Sequence, residues 1–432
     1  MSFILYRRAI PRGLDLAAYS GSCCLGNTSW ECGGGAPNLD GVGFFGVQTY
    51  DDRRCETYAS GRGPESGDTT MPLSERSGLT PTRSVLHVLL NQPGGAPRHV
   101  DDLQRVLGSE FDFSTLRLEA RDLRVNPLRW VRSVLLVRQA IRLRVAVVHA
   151  HGVRAAAAVA IATRFDRRVR SVVTVLGLHS LRRPSRVRRL VSWTNRRILR
   201  SFDRVIVHGR SDRATIFDLR LANPQVVNLI VPGADVPVRR PAAAETVRSE
   251  PNVLWAGRLV PQKDPLAFVR AAKRLPDVAV NWWLAGDGEL MEACKSEAPT
   301  SLKLWGWQSD LETLLYEADL FVSTSRWEGF PFALIEAAMA GVPIVATDVP
   351  GNRDLLLEGV PILLVPPGDV AALGQTIRSA LGDRAQLRRT GLDTNHAAIA
   401  VFSLARMGEE TKRLYHDLLS VEKFPETPTS RL

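Results

Sequence analysis

Cysteine is scarce in this chain and poorly placed for either disulfide or zinc chemistry. Five occur among 432 residues, at Cys23, Cys24, Cys32, Cys55 and Cys294, and that spacing fits neither a metal-binding pattern nor a disulfide framework. A reducing compartment is therefore expected. Long apolar runs are also missing: the richest stretch, Val145 to Thr163, is broken by His149, His151 and Arg154, so no membrane-spanning helix is expected. Met1 to Ser20 shows no charged segment followed by an apolar core and a small-residue cleavage site, which argues against a secretory leader and for a cytoplasmic protein. No G-x-G-x-x-G follows a strand, which removes the dinucleotide fingerprint. No Asp-x-Asp follows a strand to hold a divalent ion on a diphosphate, so neither a metal nor a cofactor is expected. Helix-turn-helix, zinc-finger and aromatic RNA-binding motifs are lacking as well, which weighs against nucleic acid as a partner.

Acidic residues run short. Against 56 Lys and Arg stand 45 Asp and Glu, a net charge of +11 with a pI near 9.9. Such a balance suits a phosphorylated substrate or an anionic membrane, and it also follows from arginine-rich usage alone. What remains is ordinary for a globular enzyme: 45% hydrophobic and 23% charged residues, in a chain long enough for two cores.

Residues 1–83 lack helical or strand periodicity and carry loop-like clusters such as Gly33-Gly34-Gly35 and Gly61-Arg62-Gly63-Pro64. They read as a disordered N-terminal extension, with a natural start at Met71 as the alternative. From Ser84 the pattern changes. Val85 to Leu90 reads as a buried strand, Gly94-Gly95 as a turn and Val100 to Leu107 as a helix. Strands at Val145–His149, Val172–Val175 and Val205–Val207 then alternate with helices at Ala155–Arg164 and Ser211–Leu219. The alternation pauses in a polar connector over Pro237 to Pro251. It restarts with strands Val253–Ala256, Val278–Ala285, Leu320–Ser323, Pro343–Thr347 and Ile362–Val365, interleaved with helices Pro265–Leu275, Leu311–Glu317, Phe332–Ala340 and Val370–Leu381. The expected organisation is α/β: one doubly wound domain over 84–237, a second over 238–400, a closing helix over 401–420 and a flexible tail over 421–432.

Three constellations carry chemistry. Gly257-Arg258-Leu259-Val260-Pro261-Gln262-Lys263 puts two cations at a strand's carboxyl end, where ligands bind in open α/β sheets and where Arg258 and Lys263 can neutralise a diphosphate. Glu328-Gly329-Phe330-Pro331-Phe332-Ala333-Leu334-Ile335-Glu336 sets two carboxylates around a helix start. Pro331 suits the first helical position, leaving the N–H groups of Phe332, Ala333 and Leu334 for phosphate oxygens, while Glu336 can accept from ribose hydroxyls. Gly94 and Gly95 let main chain approach a ligand closely. Together these suggest a pocket for a nucleotide-diphosphate sugar.

These motifs resemble retaining glycosyltransferase family 4. Residues of about 84 to 420 carry the likeness, through Gly257-Arg258-Leu259 with Lys263, Gly286-Asp287-Gly288, Trp305-Gly306-Trp307, Ala318-Asp319-Leu320, Glu328 to Glu336, and Ala340-Gly341-Val342-Pro343-Ile344-Val345-Ala346-Thr347. The resemblance implies GT-B architecture, two facing Rossmann-like domains with a cleft between them. It implies that Arg258 and Lys263 hold the donor diphosphate, that Glu336 binds ribose, that Glu328 lies beside the transferred sugar, and that Gly306-Trp307-Gln308 lies near the nucleobase. Gly94-Gly95 matches the family's glycine loop, and His149-Ala150-His151-Gly152 matches a common family sequence. Where such enzymes often carry a histidine after the strand that resembles Val172–Val175, this chain has Leu176, and His179 is the candidate replacement. The implied activity is transfer from a UDP- or GDP-sugar to a glycan or lipid-linked acceptor in exopolysaccharide or cell-envelope assembly. A non-catalytic GT-B partner subunit and a GT-B epimerase are the alternatives. Arg182 to Arg200, rich in arginine and free of acidic residues, reads as a basic amphipathic helix. Leu190, Trp193, Ile198 and Leu199 are its expected apolar face, placing the protein on the inner surface of the plasma membrane.

Overall fold

The computed structural model describes residues 83–420 apart from 93, 120–126, 143, 144, 165, 167, 179, 180, 182–185 and 236–248. The expected extension before Arg83, the tail over 421–432, and His179 lie outside the described residues.

Short strands, most of them apolar on both faces, form two parallel sheets covered by helices. The first half runs β1 (Ser84–Asn91), α1 (Gly95–Leu107), β2 (Asp112–Glu119), α2 (Pro127–Ile141), β3 (Val147–His151) and α3 (Val153–Thr163). It continues with β4 (Arg170–Val175), α4 (Arg188–Leu199), β5 (Arg204–Val207), α5 (Arg210–Asp218) and β6 (Val227–Leu229). The second half runs β7 (Asn252–Ala256), α6 (Pro265–Lys273), β8 (Asn281–Ala285), α7 (Met291–Glu297), β9 (Leu302–Gly306) and α8 (Glu312–Glu317). Then come β10 (Leu320–Ser323), α9 (Phe332–Met339), β11 (Ile344–Thr347), α10 (Pro350–Leu357), β12 (Leu363–Val365), α11 (Val370–Gly382) and α12 (Arg384–Val401). Last comes α13 (Leu404–Ser420).

The sheet orders are β2-β1-β3-β4-β5-β6 and β12-β11-β10-β7-β8-β9, with neighbours parallel throughout. In the first sheet the winding reverses between β1 and β3; in the second it reverses between β7 and β10. At such a reversal the loops leave in opposite directions and open a crevice at the strands' carboxyl ends. The crevices are therefore framed by Gly94-Gly95 after β1, Gly152 after β3, Gly257 to Lys263 after β7, and Thr324 to Pro331 after β10.

The last helix does not stay with the second sheet. Met407, Leu414, Tyr415 and Leu418 of α13 share a core with Val85, Leu103, Phe111, Val147 and Val172 of the first. The two crossings between halves run side by side, since Ala234 donates to the Phe402 carbonyl at 2.8 Å and bridges Ser403.

Candidate functional site

Three loops of the second sheet form a shelf tied backbone to backbone. Gly257 N–H donates to Ala285 O at 3.0 Å, and Gly286 N–H donates to Gly306 O at 2.7 Å. A Cβ on Gly286 would lie 1.8 Å from the Gly257 carbonyl oxygen, so only glycine permits this approach. Arg258 stands exposed on the shelf, with no ion-pair partner among the described residues. Trp307, at 71% exposure, offers a ring face at the shelf's end, and Gly306 has open space beside it.

Behind the shelf, the loop after β7 is pinned to the loop after β10. Trp255 donates to Thr324 Oγ1 at 2.9 Å, whose hydroxyl donates to Asp264 O at 2.7 Å. Asp264 holds a left-handed φ of 47° and gives its carboxylate to Arg326 at 2.8 Å instead of capping α6. A non-glycine residue in that region is strained, and such strain persists where surrounding contacts over-determine it. The pinned loops bring Lys263 against Glu328. Glu328 is buried, and its Oε1 accepts from Lys263 Nζ at 2.5 Å and from Ser325 Oγ at 2.6 Å. Lys263, expected on a diphosphate, is thus paired here with the carboxylate expected beside the sugar.

At α9 the sequence reading needs two corrections. Pro331 is the N-cap, in extended conformation, not the first helical residue. Leu334 N–H is not free, because it donates to Pro331 O at 3.1 Å in a tight first turn. Phe332 and Ala333 N–H donate to no backbone carbonyl among the described residues, so two groups, not three, point from this helix start. One turn on, Glu336 is half-buried and paired with Arg98 of α1.

The two halves meet here on glycines. A Cβ on Gly95 would fall 2.4 Å from the Phe332 ring, and one on Gly329 would fall 2.7 Å from the Leu176 carbonyl oxygen. Gly94 is the N-cap of α1, which begins at Gly95 and not at Val100 as expected, so the glycine pair opens the helix directly. Phe330 is buried in the second half's core. A second seam lies beside this one: Asp354 of α10 accepts from Ser211 N–H at 3.0 Å and Ser211 Oγ at 2.7 Å at the start of α5. Arg210 pairs with Glu358 at 2.7 Å.

Sequence reasoning misses Arg98, Ser325 and Asp354. For Arg98 a signal exists: a cation in a helix's first turn opposes the macrodipole, so it calls for a partner outside the helix. Another departure concerns the basic segment. Helix α4 forms, but Leu199 is buried in the first core and Ile198 packs against it, so neither belongs to an outer face.

Five of the chain's eight histidines meet beneath the first crevice. His87 Nδ1 lies 2.9 Å from His151 Nε2; His149 lies 2.7 Å from both Tyr415 Oη and Thr174 Oγ1; His208 Nδ1 is 2.9 Å from Ile230 O. His99 joins edge-on, 4.7 Å from His208 and 5.7 Å from His151 between ring centroids. Burial pushes His87 down to about 3 and His208 to about 4. Burial, aided by neighbouring rings, holds His99, His149 and His151 well below the ordinary imidazole value. The ring nitrogens of His87, His149 and His151 come within 4.8 Å of one another, but the group contains no carboxylate. A divalent ion there would bring an uncompensated buried charge, and we read the cluster as neutral packing.

With this geometry in view, the chain matches two family models. One, described as glycosyl transferase 4-like domain, covers residues 82–233; the other, glycosyl transferases group 1, covers residues 250–383. The chain belongs to the group 1 glycosyltransferases. Among group 1 relatives it is similar to UDP-Gal:alpha-D-GlcNAc-diphosphoundecaprenol alpha-1,3-galactosyltransferase of Escherichia coli. Identity is 30% over 175 residues, covering 38% of this chain and 44% of that protein. It is also similar to D-inositol 3-phosphate glycosyltransferase of Nocardia farcinica, at 29% identity over 237 residues, 50% of this chain and 52% of that one. The chain thus spans about half the length of these curated relatives. Among solved structures, Anabaena HepE in complex with UDP and glucose superimposes with a TM-score of 0.65 at 18% identity, over 78% of this chain and 100% of that one. That likeness concerns the fold, and it agrees with two parallel six-stranded sheets in GT-B arrangement.

Proposed function

We propose that this group 1 member is a retaining, metal-independent glycosyltransferase. It would move a sugar from a nucleotide-diphosphate donor to a glycan or lipid-linked acceptor in exopolysaccharide or cell-envelope assembly. The observation that carries this reading is the convergence of Arg258, the Lys263–Glu328 pair, the α9 start and Glu336 on one crevice, with Gly95 and Arg98 facing them. Breaking the bond from sugar C1 to phosphate leaves charge on the departing diphosphate. Arg258, Lys263 and the N–H groups of Phe332 and Ala333 are suited to stabilise it. The acceptor oxygen forms the new bond to C1 on the face the diphosphate leaves, and its proton passes to a departing phosphate oxygen. No protein nucleophile is needed. Glu328, buried and tied to a lysine, suits orientation of the sugar better than proton transfer. His179 remains a candidate contact to that sugar, and Trp307 a stacking surface for the base.

The test is thermal stabilisation by UDP-, GDP- and ADP-sugars with EDTA present, beginning with UDP-sugars because the Escherichia coli and Anabaena relatives bear UDP-Gal and UDP in their names. A donor at 100 times its dissociation constant adds about 2.7 kcal/mol to the folded state. Glu336→Ala should lose most of that shift while its unliganded melting point stays close to wild type. If no sugar nucleotide moves the wild-type transition, the reading fails.

A membrane-facing role for the first half rests on exposed apolar side chains among arginines. Val187, Leu190 and Trp193 recur every third residue, at 58%, 63% and 55% exposure, and Arg197 covers the Trp193 ring at 5.3 Å. Exposed Val131 and Leu135 of α2 and Ile161 of α3 lie on neighbouring helices. A cavity of about 910 Å³ between the ends of α2 and α3 is lined by Arg138, Arg142, Arg164 and Arg168 with Asp166. Such a surface suits the anionic headgroups of a cytoplasmic leaflet. Flotation with anionic vesicles, but not with neutral ones, is the expected result; Trp193→Ser should weaken it several-fold.

A further inference from the structure

We infer that Arg98 belongs to the nucleotide site and exchanges partners there, leaving Glu336 for the diphosphate when a nucleotide ribose takes the carboxylate. This rests on the proposed nucleotide-sugar reading and gives a role to Arg98, which no motif marks and to which that reading assigned none.

Arg98 stands in the first turn of α1, three residues beyond Gly95, and Gly95 lies against Phe332 at the first turn of α9. The two helix starts therefore face each other across the crevice, and the Arg98–Glu336 pair joins them. Phosphate oxygens directed at the N–H groups of Phe332 and Ala333 would lie beside that guanidinium. Its side chain is 48% exposed while that of Glu336 is 15% exposed, so the arginine is the partner free to turn.

Charge points the same way. Arg258 and Lys263 bring two positive charges to the crevice, and Glu328 and Glu336 bring two negative ones, which cancel. Glu328 holds Lys263 in a buried contact with Ser325 also attached, so that lysine cannot be given wholly to phosphate. A nucleoside diphosphate gains negative charge as the sugar leaves, and a net-neutral site stabilises that change poorly. Arg98 supplies the missing cation, and a guanidinium offers a fork suited to phosphate oxygens. Its placement at a helix N-terminus, unfavourable for α1 itself, is explained by the same role.

Two roles for Arg98 predict opposite results, which makes the test sharp. If the arginine only blocks Glu336, its removal frees the carboxylate and tightens every nucleotide. If it moves to the diphosphate, its removal weakens UDP, or whichever nucleoside diphosphate the wild type prefers, while the corresponding nucleoside binds unchanged or more tightly. Titration calorimetry on the full chain with UDP, UMP and uridine, and with the guanosine series in parallel, separates them. Arg98→Ala should weaken the diphosphate about tenfold, the loss of one charge-assisted contact, and should shrink the gap between diphosphate and nucleoside by the same factor. Arg98→Lys should restore part of it. Diphosphate binding to Arg98→Ala that equals or exceeds wild type overturns the inference while leaving the proposed function standing. Absence of any nucleotide binding by the wild type would remove both.

Discussion

Lys263→Met is expected to stop sugar transfer and to lower stability by about 3 kcal/mol, the lower end of the cost of removing one member of a buried ion pair. Glu328 is 4% exposed and receives Lys263 and Ser325 on the same oxygen; without the ammonium it keeps a buried charge and a single hydroxyl. The loop from Gly257 to Asp264 would also lose its chief tie to Glu328, although Thr324 still fastens it at Asp264. Pairing the change with Glu328→Gln removes the stranded charge, so the double variant should recover most of the stability and none of the activity. Urea unfolding of the two single variants and the double variant measures the coupling. Single variants whose losses simply add would show that the pair contributes no interaction of its own, and the site would not be held together by this contact.

Acidification is expected to unfold the first half between about pH 6 and pH 5, well above the range in which carboxylates titrate. The sign is set by the buried histidines. In the folded chain His87 and His208 stay neutral down to about 3 and 4, and His99, His149 and His151 are also held well below the ordinary value. In the unfolded chain each takes up a proton near pH 6.5. Below that value the unfolded state binds more protons, so stability falls as pH falls, and it is fully present only above about 6.5. His87 and His208 each remove about 2 kcal/mol by pH 5, and His99, His149 and His151 add to the loss in the same direction, so the total is a large share of the stability of an ordinary domain. Circular dichroism against pH should show a cooperative transition that takes up several protons, as expected when the rings of one cluster charge together. A chain that stays folded at pH 4.5 would contradict the burial described for these rings. His208→Phe, which removes one titrating ring next to Phe330, should move the midpoint to lower pH.

Much of the fold is legible because buried parallel strands announce themselves as runs of Val, Leu and Ile. Strand Leu320–Ser323 and the start of α6 at Pro265 stand where the sequence pattern places them. The elements that escape have a physical excuse. β2 alternates polar residues along Asp112–Glu119 because it is an edge strand, half exposed. β6 has only three residues, and α12 opens on Arg384, Gln386, Arg388, Arg389 and Thr390, with a weak apolar stripe between them. The candidate site is readable where motif and chemistry coincide, at Arg258, Lys263, Glu328 and Glu336. Their pairing is not. That Lys263 meets Glu328, or that Glu336 meets Arg98 across 238 positions, depends on how two sheets face each other, and no periodicity in one segment encodes that. The histidine cluster is equally hidden, since it draws on four separate places in the winding: His87 on β1, His99 on α1, His149 and His151 on β3, and His208 just after β5.

The return of α13 to the first sheet has a consequence for the order in which the protein is made. Domains usually fold as they leave the ribosome, the N-terminal one first. Here the first half emerges with the face that Met407, Leu414 and Tyr415 will cover still bare, and His149 lacks its Tyr415 hydroxyl until α13 has been made. The second half must therefore be synthesised while the first waits incomplete, and a chain cut short before Leu404 has a first half with its histidine-bearing face open to solvent.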